Sequence, residues 1–97
     1  MNIEILESML LGSFYDDSYI NGILTLRKDL KIDEDFKQHW PSITKKIRGK
    51  KFSEGKILEI VSKKTGQPLY ENSDQEAYRW LELMILNVES NSKIIEY

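Results

Sequence analysis

Apolar residues recur three and four positions apart in every long segment of this 97-residue chain. That spacing is the repeat of a helix buried along one side. A half-buried strand would need alternation instead. Residues 3–11 place Ile3, Leu6, Met9 and Leu10 on one stripe, and Gly12 with Ser13 is the expected end of that helix. Asp16, Asp17 and Ser18 then offer N-caps for a second helix. Its stripe is Tyr19, Ile23, Leu26 and Leu30, widened by Ile20 and Leu24. Gly22 inside it costs about 1 kcal/mol relative to Ala, and residues 23–26 also fit a short strand.

Asp33, Glu34 and Asp35 open a third segment, where carboxylates favour the positive end of the helix dipole. Phe36, Trp40, Ile43 and Ile47 follow at helical spacing. Pro41 within that stripe predicts a kink, or two short helices with Pro41 in a first turn. Gly49, Lys50 and Lys51 end the element. Ser53 is the expected cap of a fourth helix carrying Ile57, Leu58, Ile60 and Val61, stopped by Gly66 and Pro68. A loop follows at 67–72, around Leu69 and Tyr70.

Ser73-Asp74-Gln75-Glu76 reads as a capping box, with the Glu76 carboxylate reaching back to the cap amide. The face after it is Ala77, Leu81, Met84, Ile85 and Val88, flanked by Trp80. Residues 91–97 carry no pattern, although Ile94 and Ile95 are candidates to dock on the core. The expectation is an all-α fold: one domain, 1–97, a compact bundle or orthogonal array of about five helices. Its core should hold Leu6, Leu10, Phe14, Ile23, Trp40, Ile43, Ile57, Ile60, Leu81, Met84 and Ile85.

The absence of cysteine excludes disulfides and thiolate zinc sites. Apolar runs are short and broken by charge, far from the roughly 20 residues of a membrane span. The start, Met1-Asn2-Ile3-Glu4, lacks the basic opening of a secretory signal. A cytoplasmic protein with no membrane partner is the expectation. The net charge of −2 hides a segregation. Residues 1–36 carry three basic and eight acidic side chains, residues 37–64 nine and two, and residues 65–97 two and six. Acidic segments bracket a basic one, which points to separate charged faces or to pairing between them.

Little in the chain points to catalysis, a cofactor or a metal. His39 is the single histidine, so a His/Cys metal cluster cannot form. Ser53, Ser62, Thr65 and Ser73 lie in no nucleophile motif, and capping accounts for Ser53 and Ser73. The basic run Lys45-Lys46-Ile47-Arg48-Gly49-Lys50-Lys51 allows a nucleic-acid reading through phosphate neutralisation. The sequence pI of 5.4 argues against a dedicated nucleic-acid module. The acids Asp16, Asp17, Asp33, Glu34, Asp35, Glu71, Asp74 and Glu76, with Tyr15, Tyr19 and Tyr70 close to them, have the make-up of a protein interface. Aromatic anchors sit beside steering charge there. Dipole complementation and core tyrosines are the structural alternative.

Two stretches carry a resemblance. One is Leu10-Leu11-Gly12-Ser13-Phe14-Tyr15-Asp16-Asp17, after a short helix. The other is Gly66, Tyr70 and Tyr78-Arg79-Trp80-Leu81, entering the final helix. In order and separation they resemble the helical immunity proteins of bacterial contact-dependent growth inhibition systems, over roughly residues 4–88. The middle, 20–64, contributes no motif. The resemblance implies a cytosolic, non-enzymatic protein that binds the C-terminal toxin domain delivered by a neighbouring cell and neutralises it. Such toxins are frequently nucleases with basic clefts. The contact residues would then be Asp16, Asp17, Tyr19, Asp33, Glu34, Asp35, Tyr70, Glu71 and Asp74. A helical nucleic-acid-binding domain using residues 45–51, and an antitoxin or adaptor of another system, are the competing readings.

Overall fold

A computed structural model of the chain describes residues 3–97. Met1 and Asn2, part of the start read above as lacking a signal, lie outside the described residues. Five helices follow one another: α1 Ile3–Phe14, α2 Tyr19–Ile32, α3 Glu34–Arg48, α4 Lys56–Thr65 and α5 Asp74–Glu89. There is no strand among the described residues, and none of their helices is long and apolar enough to cross a membrane. The radius of gyration is 12.2 Å, against about 12.5 Å for a compact chain of this length. The chain is thus a closed all-α array. Helix α1 packs on α2 and α4, α5 on α2, α3 and α4, and α3 reaches back to α1 and α2.

One apolar cluster joins all five helices. Ten of the eleven side chains expected in the core are buried in it; Trp40 is not. Trp40 is half-buried at the edge, and its indole N–H donates to Glu89 Oε2 at 3.1 Å. An amphipathic ring with a polar tip settles where one side can stay wet. Trp80, read as flanking, is instead 1% exposed at the centre. Its ring meets Phe14 edge-on at 5.0 Å and Tyr19 at 5.6 Å. This trio ties the end of α1, the start of α2 and the middle of α5 into one unit.

Several local expectations are corrected. Helix α1 runs through Gly12 and Ser13 to Phe14. The reversal falls instead on Asp16, which takes the left-handed conformation at φ 59°. Short Asx side chains tolerate that region better than most L residues. Ser18 caps α2 by accepting from Asn21 N at 3.1 Å. The 23–26 stretch is helical, and Gly22 is dictated by packing: the Phe14 ring occupies the space of its missing Cβ. Helix α3 stays continuous across exposed Pro41, so two separate helices do not form.

Ser53 does not cap α4 with its side chain. Gly55, at φ 79°, occupies the N-cap position. The Asp74 carboxylate supplies the acceptors from across the fold, taking Gly55 N at 2.6 Å and Leu58 N at 3.1 Å.

The capping box forms only by half. Ser73 Oγ accepts from Glu76 N at 3.1 Å. The Glu76 carboxylate turns away from the cap amide and holds the preceding loop instead. The tail returns over α5, where buried Asn87 accepts from Ile95 N at 2.9 Å and donates to Ile95 O at 2.8 Å. Ile94 packs against the core, whereas the Ile95 side chain is exposed.

Candidate functional site

The α1–α2 turn and the α4–α5 loop meet at one end of the molecule. Gly66, at φ 64°, ends α4 in the left-handed conformation that glycine adopts without penalty. Buried Thr65 stabilises the turn by donating to Val61 O at 2.6 Å and accepting from Gln67 N at 3.1 Å. The Gln67 side-chain amide then crosses to the other loop. It donates to Asp17 O at 2.9 Å and to Phe14 O at 3.4 Å. The Tyr15 ring lies over Gly66, with Cδ2 3.6 Å from where a Cβ would stand. Between the loops is an open cleft of about 580 Å³, lined by Tyr15, Asp16, Asp17, Ser18, Gly66 and Gln67, with Thr65 at its base.

The rest of the α4–α5 loop is organised by Glu76, which is only 1% exposed. Its Oε1 accepts from Glu71 N at 2.6 Å and Asn72 N at 3.0 Å. Its Oε2 accepts from Tyr70 N at 2.7 Å and from the Tyr97 hydroxyl. Burial alone would raise the Glu76 pKa. The four donors outweigh it and hold the carboxyl down to about 2, from an ordinary 4.5. Tyr97 moves the other way, to about 12, because burial and the adjacent carboxylate both disfavour phenolate. Tyr70 stacks on Tyr97 at 6.1 Å between ring centroids while remaining 79% exposed. Its backbone is fixed and its ring is presented.

The nine expected contact residues divide sharply. Tyr19 is a core residue, 8% exposed, whose hydroxyl accepts from Asn87 Nδ2 at 2.9 Å. Burial raises its pKa, and the Asn87 hydrogen bond offsets part of that rise. Asp74 is engaged with α4, as described above. Asp33 caps α3, its Oδ1 accepting from Asp35 N at 3.0 Å and Phe36 N at 3.3 Å.

Glu34 reaches Lys37 at 3.5 Å and Glu71 pairs with Arg79 at 2.6 Å, both on the surface. Asp17 Oδ1 accepts from Ser18 N and Asn21 Nδ2. Asp16, Asp35 and Tyr70 are exposed. The 33–35 acids lie at the far end of the 14-residue α2 from Asp16 and Asp17, about 20 Å away at 1.5 Å per residue. The acids at 16–17 and at 33–35 therefore do not share one surface, and Asp74 sits at the start of α4, the opposite end of that helix from Gly66.

Tyr15 was not among the expected contacts, yet it is 51% exposed in the cleft wall. The signal for it is its place in the sequence next to Asp16 and Asp17, in the turn between the two helices. Tyr97 was also missed, because only the fold brings it to Glu76.

His39 is half-buried on α3, its Nδ1 2.8 Å from Asp35 O. Among the described residues, no group of three His, Cys, Asp or Glu side chains is arranged to hold a metal. The cleft offers carboxylates, the Tyr15 ring and backbone on a fixed frame. Those groups suit recognition of a surface. Compared with protein-family models, with curated proteins and with solved structures, the chain matches none.

Proposed function

We propose that this chain is an immunity protein that binds and neutralises the toxin domain of a contact-dependent growth inhibition system, a nuclease with a basic cleft. It is a cytoplasmic inhibitor without catalysis or cofactor of its own. The observation that carries this reading is the pair of presented tyrosines, Tyr15 and Tyr70. Both project from backbones fixed by Gln67 and Glu76; Tyr15 stands beside the exposed carboxylate Asp16, and Tyr70 beside Glu71, which is paired with Arg79. Rings held in place before binding lose little entropy on docking, which is what interface hot spots require. The carboxylates would accelerate encounter with a basic partner.

The stretches that carry the resemblance are also the ones joined here: Phe14 touches Trp80, and Tyr15 lies over Gly66. Inhibition would be steric and electrostatic, with the acidic end covering the face that otherwise receives nucleic acid.

The test is to sequence the neighbouring genes, where a large exported protein ending in a small basic domain is expected, and to co-express that C-terminal domain with this chain in a bacterial host. Growth should be rescued, and the two chains should co-purify as a stoichiometric complex. Killing that proceeds equally in the presence of this protein would reject the proposal.

A further inference from the structure

The basic segment is not neutralised by the acidic ones. Arg48 pairs with Glu89 at 3.2 Å and Lys64 with Glu7 at 3.7 Å. Lys45, Lys46 and Lys51 have no ion pair among the described residues. These three lysines and Ser42 line a cleft of about 230 Å³ beside the C-terminal turns of α3, and no carboxylate lines it. The turn that ends α3 places them together. Lys50, at φ 53°, takes the left-handed position just past the helix end, and its amide donates to Ile47 O at 3.1 Å. The reversal lets Lys51 N donate to Lys46 O at 3.5 Å and lays the Lys51 side chain against Gly49. The Phe52 ring holds the Lys46 ammonium at 5.1 Å from its centroid.

Lysines at a helix C-terminus complement its dipole, which accounts for Lys45 and Lys46. It does not account for Lys51, which lies beyond the helix end and lines the same cleft with no carboxylate opposite it. From this arrangement we propose that the cleft binds phosphate. Lys45 and Lys51 act as movable point charges, with the Lys46 ammonium held on the Phe52 ring and a hydroxyl beside them, and that set suits a tetrahedral polyanion. A planar carboxylate would be better matched by a guanidinium fork. The nearby guanidinium, Arg48, is already held by Glu89.

The source of the phosphate is either a nucleic-acid backbone or a small polyphosphate. The inference stands apart from the toxin-binding reading. It concerns other residues and does not depend on any protein partner.

The experiment titrates the isotope-labelled full chain, followed by amide NMR, with tripolyphosphate and with an eight-nucleotide single-stranded oligonucleotide. A length-matched oligoglutamate is the third ligand. Both phosphate ligands should shift amides within 42–52. Tighter binding of one than the other identifies the source, and either ordering supports the site. Oligonucleotide affinity should fall with salt at a log–log slope near −2, from about −0.7 for each of three phosphates. The triple variant K45Q/K46Q/K51Q should lose at least about tenfold in affinity with its remaining spectrum unchanged. K45R/K46R/K51R should retain binding. Absence of shifts, unchanged affinity in the glutamine variant, or oligoglutamate binding as tightly as the oligonucleotide would each overturn the proposal.

Discussion

At the scale of single residues, Glu76 does the most to shape the candidate surface. A carboxylate with three backbone donors and a phenol is far more favourable ionised than protonated. Its pKa therefore drops to about 2 in the folded chain, from an ordinary 4.5. A depressed carboxyl stabilises the fold above its unfolded pKa, and that contribution fades as pH falls toward the folded one. The fold should accordingly weaken between about pH 4.5 and 2. Glu76→Gln should flatten that portion of the profile of urea midpoint against pH; an unchanged acid limb in the variant would show that Glu76 is not the linked group. Tyr97 carries the opposite sign. Its pKa is raised to about 12, so its contribution is complete below the ordinary value of 10 and fades as pH rises toward 12. Tyr97→Phe should flatten the alkaline limb of the same profile.

None of this is visible in the chain as written. Ser73 and Glu76 announce a capping box, and the serine obeys it. The carboxylate goes elsewhere because three amides of the 70–72 loop and a tail hydroxyl 21 positions away offer more than one cap amide would.

Elements divide between what periodicity fixes and what only contact fixes. The stripes in α2, α4 and α5 are legible because a 3.6-residue repeat needs no partner to be seen. Helix ends depend on neighbours and are less so. Ser53 looks like a cap but is displaced by Asp74, whose carboxylate arrives from 16 residues beyond Leu58. Asp74→Ala should consequently cost about 0.5–2 kcal/mol, the range for losing a cap. Denaturant unfolding measures it, and Ser53→Ala is the control expected to change little.

Two helical glycines make a sharper pair. Alanine in a helix normally gains up to about 1 kcal/mol over glycine. Gly12 in α1 has no atom within 4 Å of its Cβ position, so Gly12→Ala should gain most of that. At Gly22 the same atom would stand 2.1 Å from Phe14 Cδ1 and 2.3 Å from Cε1. Phe14 is locked between Tyr19 and Trp80 and cannot give way. Gly22→Ala should lose about 1–3 kcal/mol through overpacking. Equal signs for the two substitutions, measured by unfolding, would contradict this packing.

Over the whole molecule, charge is sorted by position as well as by sequence. The basic cleft lies at the end of α3, and exposed Asp16 and Asp17 border the cleft between the α1–α2 turn and α4. The sequence showed the sorting but not its geometry. The first two acidic clusters lie at opposite ends of α2 while Asp74 sits at the start of α4, and helix capping took Asp33 and Asp74 out of the freely available set. What is left for a basic partner at the tyrosine end is chiefly Asp16, which makes no hydrogen bond or ion pair among the described residues.

On the proposed function, the roles of charge and ring separate in time. Carboxylates act before contact, through a field screened over about 10 Å at 0.1 M salt. Tyrosines act after contact, by area buried. Association with the toxin domain should slow as salt rises. Removing charge with Asp16→Asn and Asp17→Asn should slow it several-fold at low salt and leave dissociation nearly unchanged. Asn keeps the left-handed turn at residue 16 and the acceptor at residue 17, so the fold is not the variable. Tyr70→Ala should do the reverse, hastening release with little effect on encounter. Stopped-flow association at several ionic strengths, with displacement to read release, tests both halves. A salt-independent association rate would leave the acidic end without the steering role assigned to it here.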